Sequence, residues 1–358
     1  MTAAEGGAES LEERVAGVVA RAWPGARVTS FAMLAGDASA RRYARLGLDG
    51  GGAPATSVAM LLPAQAAYAS EELTAGGVPT ELPFLSVGRF LSRHAIPVPD
   101  VFRAEVPERV LLLEDIGDVP LAQAATDGPA RGPMEAAVDV LARIAALARS
   151  PDPTCCAFRE RYDRALIGKE LEVVHTHGLA ESDDGPARAT GGDPELERGL
   201  ARLGDAIASQ PEVFMHRDYH AWNLHIDPAG RLRVIDFQDA LLGPALYDLA
   251  SLCTDRDSHR FVPPELERDL VERFARALVA RGGPDLGAGA ALERSYFQAV
   301  AYRTLRVIGR FRFLAIERRK KGYLRFLPDM ARQTRRALGA TGDRELLALL
   351  AARAAIFA

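Results

Sequence analysis

The stretch from Val213 to Tyr247, VFMHRDYHAWNLHIDPAGRLRVIDFQDALLGPALY, constrains the fold of this chain more than any other. Two short apolar, β-prone runs, Leu224–Ile226 and Leu232–Ile235, flank Asp-Pro-Ala-Gly, a turn sequence suited to a hairpin. Polar residues gather at both ends: His216, Asp218 and Asn223 precede the first run, and Asp236 follows the second at once. Pairing the runs returns Asp236 to the side of the earlier group. Carboxylates and an amide that are distant in sequence then meet at one place.

The residue types at that place point to phosphoryl transfer, which asks for positioning and charge neutralisation more than for covalent chemistry. His216-Arg217-Asp218 followed by Asn223 has the spacing H-x-D-x-x-x-x-N, in which the carboxylate faces an incoming hydroxyl and the amide oxygen reaches Mg2+. Asp236, in Val-Ile-Asp-Phe, adds the anionic hard-oxygen ligand that Mg2+ prefers. Asn at 218 could not accept a proton, and an apolar residue at 236 would strip the metal of its charged ligand. His216 is expected to brace the segment around Asp236 through hydrogen bonds, and Asp248 to anchor a helix start. His216-x-Asp218 also opens the facial triad of non-haem iron oxygenases, with His259 as a third ligand. That site belongs to a β-rich barrel, whereas helical patterns flank this motif on both sides.

A chain of 358 residues exceeds most single cores, so two lobes are expected. With 48% hydrophobic and 26% charged residues it reads as soluble and globular, and a net charge of −4 gives no general attraction to nucleic acid or anionic membrane. Two of the three cysteines, Cys155 and Cys156, are neighbours, which suits a reducing cytosol better than a disulfide framework. The acidic N-terminus lacks the basic start of a secretory signal, and no run approaches the roughly 20 apolar residues of a spanning helix. The expectation is a cytoplasmic protein with a small-molecule partner and no nucleic-acid, membrane or protein partner.

In chain order, a short helix is expected over Leu11–Ala22, then strands over Val28–Leu34, Arg41–Leu46 and Ser57–Leu62. Ala35-Gly36-Asp37-Ala38-Ser39, between the first two strands, has the small residues that let backbone N–H groups approach a phosphate, though a plain hairpin turn fits as well. A helix over Glu81–His94 and strands near Val101–Ala104 and Val110–Glu114 lead into Leu113-Glu114-Asp115-Ile116-Gly117, an acidic connector of the kind that joins lobes. Helices follow over Pro133–Ala148, Phe158–His177 and Glu195–Ser209, with a polar loop across residues 181–194. Further helices are expected over Pro264–Ala280, Leu292–Arg319, Leu324–Leu338 and Arg344–Phe357. The architecture is α+β: an N-lobe over residues 1–116 with a small antiparallel sheet and one helix, and a mainly helical C-lobe over residues 117–358 carrying the hairpin.

This layout resembles the aminoglycoside phosphotransferase and choline kinase-like superfamily, small-molecule relatives of the protein kinases, from about Val28 to Arg335. LAGDASARRY, LLLEDIGD, HRDYHAWN, VIDFQDALLGPALYDLASL and KGYLRFLPDM are together similar to its anomeric sugar kinases, which phosphorylate the C1 hydroxyl of N-acetylmuramate and N-acetylglucosamine in peptidoglycan recycling. The resemblance implies a bilobal protein-kinase-like fold using ATP and Mg2+. It makes Asp218 the catalytic base, gives Asn223 and Asp236 the metal, lays Gly36, Asp37, Ser39 and Arg42 over the phosphates, and brings the backbone at Leu113, Glu114 and Ile116 to adenine. Asp239 would hold the sugar or order the loop. His220 could touch the γ-phosphate or the sugar. Arg303, Arg306 and Arg310 share a helix face and could meet a sugar carboxylate, though such rows are more often solvated.

Two departures from the pattern matter. Ser57-Val58-Ala59-Met60-Leu61-Leu62 has no Lys to hold the phosphates and Phe84–His94 no Glu to orient one, so a cation on the second strand must serve; Arg42 is preferred over Arg41, since alternation turns only one inward. Pro244 arrives about eight residues after Asp236, leaving no room for a phosphorylatable activation segment, which favours a small-molecule kinase. Kinases of aminoglycosides or of small alcohols such as choline or homoserine share the motif. A nucleotide-binding pseudokinase would keep the fold without turnover.

Overall fold

The computed structural model describes residues 10–34, 41–63, 81–128, 130–179 and 193–358. Ser10 opens helix α1 (Leu11–Ala22) through a capping box with Glu13, and the helix buries Val15, Val18 and Val19. Strands β1 (Arg27–Met33), β2 (Arg42–Asp49) and β3 (Thr56–Leu61) follow, then helix α2 (Pro83–Arg93) and strands β4 (Val101–Glu105) and β5 (Val110–Leu113). The five strands form an antiparallel sheet in the order β1-β2-β3-β5-β4.

Alternation along the central strands divides the apolar residues between two cores. Ala44, Leu46, Ala59, Leu61, Val110 and Leu112 pack with the α1 valines. Met60, Leu111 and Leu113 face the other way and join the main core, with Tyr43 packed against it. Of the two helices expected within residues 1–116, α1 packs its valines on one face of the sheet. Phe84, Val87, Phe90 and Leu91 of α2 belong to the larger core, and Phe84 stacks on Phe237 with ring centroids 5.0 Å apart.

The remainder comprises α3 (Leu121–Asp127), α4 (Arg131–Ala146), α5 (Arg164–Val173), α6 (Pro194–Ala208), β6 (Glu212–Met215), β7 (Leu224–Ile226), β8 (Leu232–Val234), β9 (Leu241–Pro244), α7 (Tyr247–Thr254), α8 (Pro264–Ala280), α9 (Gly289–Glu317), α10 (Leu327–Thr341) and α11 (Arg344–Arg353). The expected hairpin is β7 and β8, paired from Leu224 with Val234 to Ile226 with Leu232. A second pair, β6 with β9, brackets it and corrects the reading of a single hairpin.

The helix expected over Phe158–His177 starts late, because Asp163 caps it by accepting the Leu166 N–H, and its end widens into a π turn over Val174–Gly178. There α9 comes close enough that a Cβ on Gly309 would lie 3.1 Å from the Val174 backbone, so a side chain there would push the two segments apart by a few tenths of an ångström. Likewise α10 begins at Leu327, after a 3₁₀ segment over Lys321–Phe326. Most of the polar loop read over residues 181–194 lies outside the described residues. Among the described residues no helix is long and apolar enough to cross a membrane.

Candidate active site

The segment after β6 is held from three directions. Asp248, in the first turn of α7, accepts the His216 N–H at 2.6 Å with Oδ2 and the Arg217 N–H at 2.9 Å with Oδ1. The Tyr219 hydroxyl donates to the Ala137 carbonyl of α4 at 2.8 Å, and His216 Nε2 lies 3.1 Å from the Ile235 carbonyl. A carbonyl only accepts, so that ring nitrogen carries the proton. Burial drives the His216 pKa down to about 4, leaving the ring neutral, and pushes the Asp248 carboxyl up to about 7 against the pull of its N–H donors. His216 thus ties the loop to the residue before Asp236.

Arg217 and Asp236 both adopt left-handed backbone, with φ of 78° and 63°. Such conformations cost ~1–3 kcal/mol each and persist where surrounding contacts over-determine them. Here the contacts around Asp248 do so for Arg217, and the Asp218 and Asp236 carboxylates both act on His216 and on Asp239. Asn223 sits between: its Nδ2 donates to the Asp218 carbonyl at 3.0 Å and lies 3.4 Å from Asp236 Oδ2. Gln238 Nε2 donates to Asp236 Oδ1 at 2.9 Å and to Asp239 Oδ2 at 3.2 Å, linking the two carboxylates. Burial pushes the Asp239 pKa up; Arg217 opposes this and Asp218 adds to it.

Burial alone would raise the Asp218 pKa as well, but Arg306 and Arg217 outweigh it and hold the carboxylate below its ordinary range. Both guanidiniums converge on Glu170 of α5. Arg306 Nε lies 2.8 Å from Glu170 Oε2 and Arg217 NH2 3.2 Å from Oε1; the hydroxyls of Tyr162 and Tyr302 also donate to this carboxylate, Tyr302 at 2.8 Å. Arg306 NH1 donates to the Tyr247 hydroxyl at 3.0 Å. The close approach of α9 to the π turn brings these partners together.

Placement corrects several sequence-based expectations. Arg42 is exposed and shares its strand face with Ala44 and Leu46, whereas NH2 of Arg41, the residue before β2, lies 4.0 Å from Asp236 Oδ1. Arg303 and Arg306 are not a solvated row: Arg303 is 4% exposed and paired with Asp255 at 2.7 Å, and Arg306 is bound to Glu170. His259 pairs with Asp329 at 3.2 Å, and among the described residues no three His, Cys, Asp or Glu groups form a metal cluster, which disposes of the facial triad. Gly36, Asp37 and Ser39 lie outside the described residues.

Along the connector, the Leu113 carbonyl accepts from Ser57 Oγ at 2.8 Å and the Glu114 N–H donates to the Asp100 carbonyl at 2.9 Å, while Ile116 is buried. The Glu114 carboxylate binds Arg233 of β8, NH1 at 2.7 Å, tying the connector to the hairpin. Glu170, Gln238 and Arg41 are site residues that the sequence reading passed over or ranked second. Of the two passed over, only Glu170 carried a sequence signal, a charge on the apolar face of Ile167, Leu171 and Val174.

The geometry is that of a phosphoryl-transfer centre, and a model of the phosphotransferase enzyme family matches residues 31–292. The chain belongs to that family. It is 29% identical over 256 residues to the N-acetylmuramate/N-acetylglucosamine kinase of Caulobacter vibrioides, covering 69% of this chain and 68% of that protein. The Pseudomonas putida protein of the same name is 28% identical over 257 residues, 70% of each chain. A choline kinase from Cryptosporidium parvum superposes with a TM-score of 0.59 at 12% identity, over 94% of this chain and 99% of that one. A choline/ethanolamine kinase family protein from Mesorhizobium loti gives 0.56 at 16%, over 90% and 92%. These likenesses fix the kinase-like fold.

A phosphotransferase of this family uses a nucleotide with a divalent metal, and the residues present fit one. Asp236, with a side chain 44% exposed, and the neighbouring Asn223 amide each carry a hard oxygen donor. Two protein ligands with the rest left to phosphate and water is the coordination Mg2+ takes in kinases, in place of a closed protein cage. Gln238 Oε1, buried beside Asp236 without a hydrogen-bond partner, is a further oxygen suited to a coordinated water.

Proposed function

We propose that this phosphotransferase moves the γ-phosphoryl group of ATP to a sugar hydroxyl, the anomeric C1 hydroxyl of N-acetylmuramate or N-acetylglucosamine. The observation that carries the reading is the convergence of Asp218, Asn223 and Asp236 on one braced loop, in a chain whose matched relatives bear that name. Residues 1–116 serve the nucleotide and residues 117–358 the acceptor, in the cytoplasm, where both substrates occur.

Asp218 accepts the hydrogen bond of the acceptor hydroxyl, orients it for in-line attack and takes its proton as the new O–P bond forms. Asn223 and Asp236 hold Mg2+, which supplies charge neutralisation to the transferred group. The Glu114 carbonyl and Ile116 N–H meet adenine, since Leu113 C=O and Glu114 N–H are already engaged. Arg41 takes the phosphate-holding role that a third-strand Lys plays elsewhere.

Incubation with MgATP and a panel of amino sugars, muramic sugars, choline, homoserine and aminoglycosides is expected to yield an acid-labile sugar 1-phosphate. A stable ester on an aminoglycoside would replace the acceptor, and ATP binding with no turnover on any acceptor would mark a pseudokinase. Arg41→Ala is expected to raise the ATP KM or lower kcat/KM by about 10- to 100-fold, the worth of a charge-assisted hydrogen bond, while Arg42→Ala stays within about twofold of wild type. Steady-state kinetics that rank the two the other way would reverse the assignment.

A further inference from the structure

His220, two residues past Asp218, points from the loop to a charged cluster that phosphoryl transfer itself does not use. Its Nδ1 lies 3.9 Å from Asp255 Oδ2. Asp255, just after α7, is 3% exposed; its Oδ1 accepts from Arg303 NH2 at 2.7 Å and its Oδ2 from Arg256 Nε at 3.2 Å. Burial alone would raise the Asp255 pKa, yet Arg303, His220 and Arg256 hold it far below the ordinary carboxylate range. Two guanidiniums, those of Arg303 and Arg256, face this one carboxylate beside the loop. Arg303 NH1 and His220 Nδ1 are buried there without hydrogen-bond partners.

Arg303 is sealed beneath Asp255, but Arg256 is not. Its Cζ lies 5.8 Å from the ring centroid of Trp222 and 5.9 Å from that of Phe326, so the guanidinium is held between two aromatic faces. Nε is spent on Asp255, and the terminal nitrogens make no hydrogen bond among the described residues. Trp222, one residue before Asn223, leaves 39% of its surface open and is the one exposed side chain between His216 and Asn223. Phe326 closes the 3₁₀ segment over Lys321–Phe326, with Arg325 Cζ 4.7 Å over its ring.

We propose that Trp222 and Arg256, the latter held in place by Phe326, form the acceptor subsite, the exposed indole carrying the apolar face of a pyranose ring and the Arg256 fork taking an acidic substituent. The inference rests on the sugar-kinase reading above and adds a preference: an amino sugar bearing a carboxylate, such as the lactyl group of N-acetylmuramate, over neutral N-acetylglucosamine. Flat aromatic surface suits the C–H face of a sugar. A planar guanidinium with both terminal nitrogens available matches a carboxylate bidentately, and Asp255 with the two rings fixes its orientation beforehand.

The test compares kcat/KM for the two sugars in wild type and Arg256→Gln. The N-acetylmuramate value is expected to fall at least about tenfold further than the N-acetylglucosamine value, as loss of a charge-assisted contact to the carboxylate requires. Binding is read separately. The chain has two tryptophans, Trp23 and Trp222, so in Trp23→Phe the emission reports Trp222 alone. Saturable quenching by N-acetylmuramate, weakened in the Trp23→Phe, Arg256→Gln protein, supports the subsite. Equal losses on both sugars, or emission that stays unmoved at sugar concentrations that saturate turnover, overturns it while the sugar-kinase reading stands. A wild type that phosphorylates neither sugar overturns both.

Discussion

Asp218→Asn is expected to lower kcat by about 10²- to 10⁴-fold, the range for loss of a positioned general base, with little change in nucleotide affinity. The substitution keeps the size and one oxygen of the side chain, so the loop retains its bonds: the His216 and Arg217 N–H groups still reach Asp248, and Asn223 still reaches the residue 218 carbonyl. What disappears is a full negative charge that Arg306 and Arg217 keep ionised despite burial. An amide can accept a hydrogen bond from the acceptor hydroxyl but cannot take its proton. The loss should therefore fall on kcat, and an unchanged thermal midpoint would separate it from misfolding. Retained turnover would remove Asp218 from the mechanism.

The central hairpin and its polar ends were legible because they are local: an Asp-Pro-Ala-Gly turn sets the pairing, and the pairing sets where Asp236 falls. The β6 and β9 pair was not, since Val213-Phe214-Met215 and Leu241-Leu242 are joined by no turn of their own and meet only because the hairpin lies between them. Helix α7 was legible only at its start, where Asp248 stands, and not along its length. Every one of its residues is buried, so it has no polar face to create a period. The choice of Arg42 over Arg41 failed for a related reason. The strand phase was readable from Ala44 and Leu46, but both faces of the sheet are covered, and only α1 reveals which face lies away from the site. Arg303 and Arg306 looked like a solvated row because their partners, Asp255 and Glu170, come from other segments. A basic row on a helix packed on most sides needs acids from elsewhere, and no local pattern names them.

Glu170→Gln is expected to destabilise the fold by about 3–5 kcal/mol, the cost of removing one partner from a buried ion pair. Glu170 serves two guanidiniums and two tyrosine hydroxyls, so its neutralisation leaves the buried Arg217 and the largely buried Arg306 both short of a counter-charge. The amide also brings donors where four donors already point inward. Arg306→Met leaves the opposite excess, with the Glu170 and Asp218 carboxylates facing Arg217 alone. Removing both charges together lifts part of each penalty, so the double variant should be more stable than the sum of the two single losses, by a coupling within the roughly 0.5–3 kcal/mol seen for contacting residues. Thermal midpoints of the four proteins give that coupling. Additive losses would mean that Glu170 and Arg306 act apart. Turnover should separate from stability here: Arg217 keeps its left-handed backbone partly through Glu170, and Asp218 follows it in the chain. The double variant is therefore expected to regain stability without regaining kcat, whereas recovery of both would reduce the network to packing.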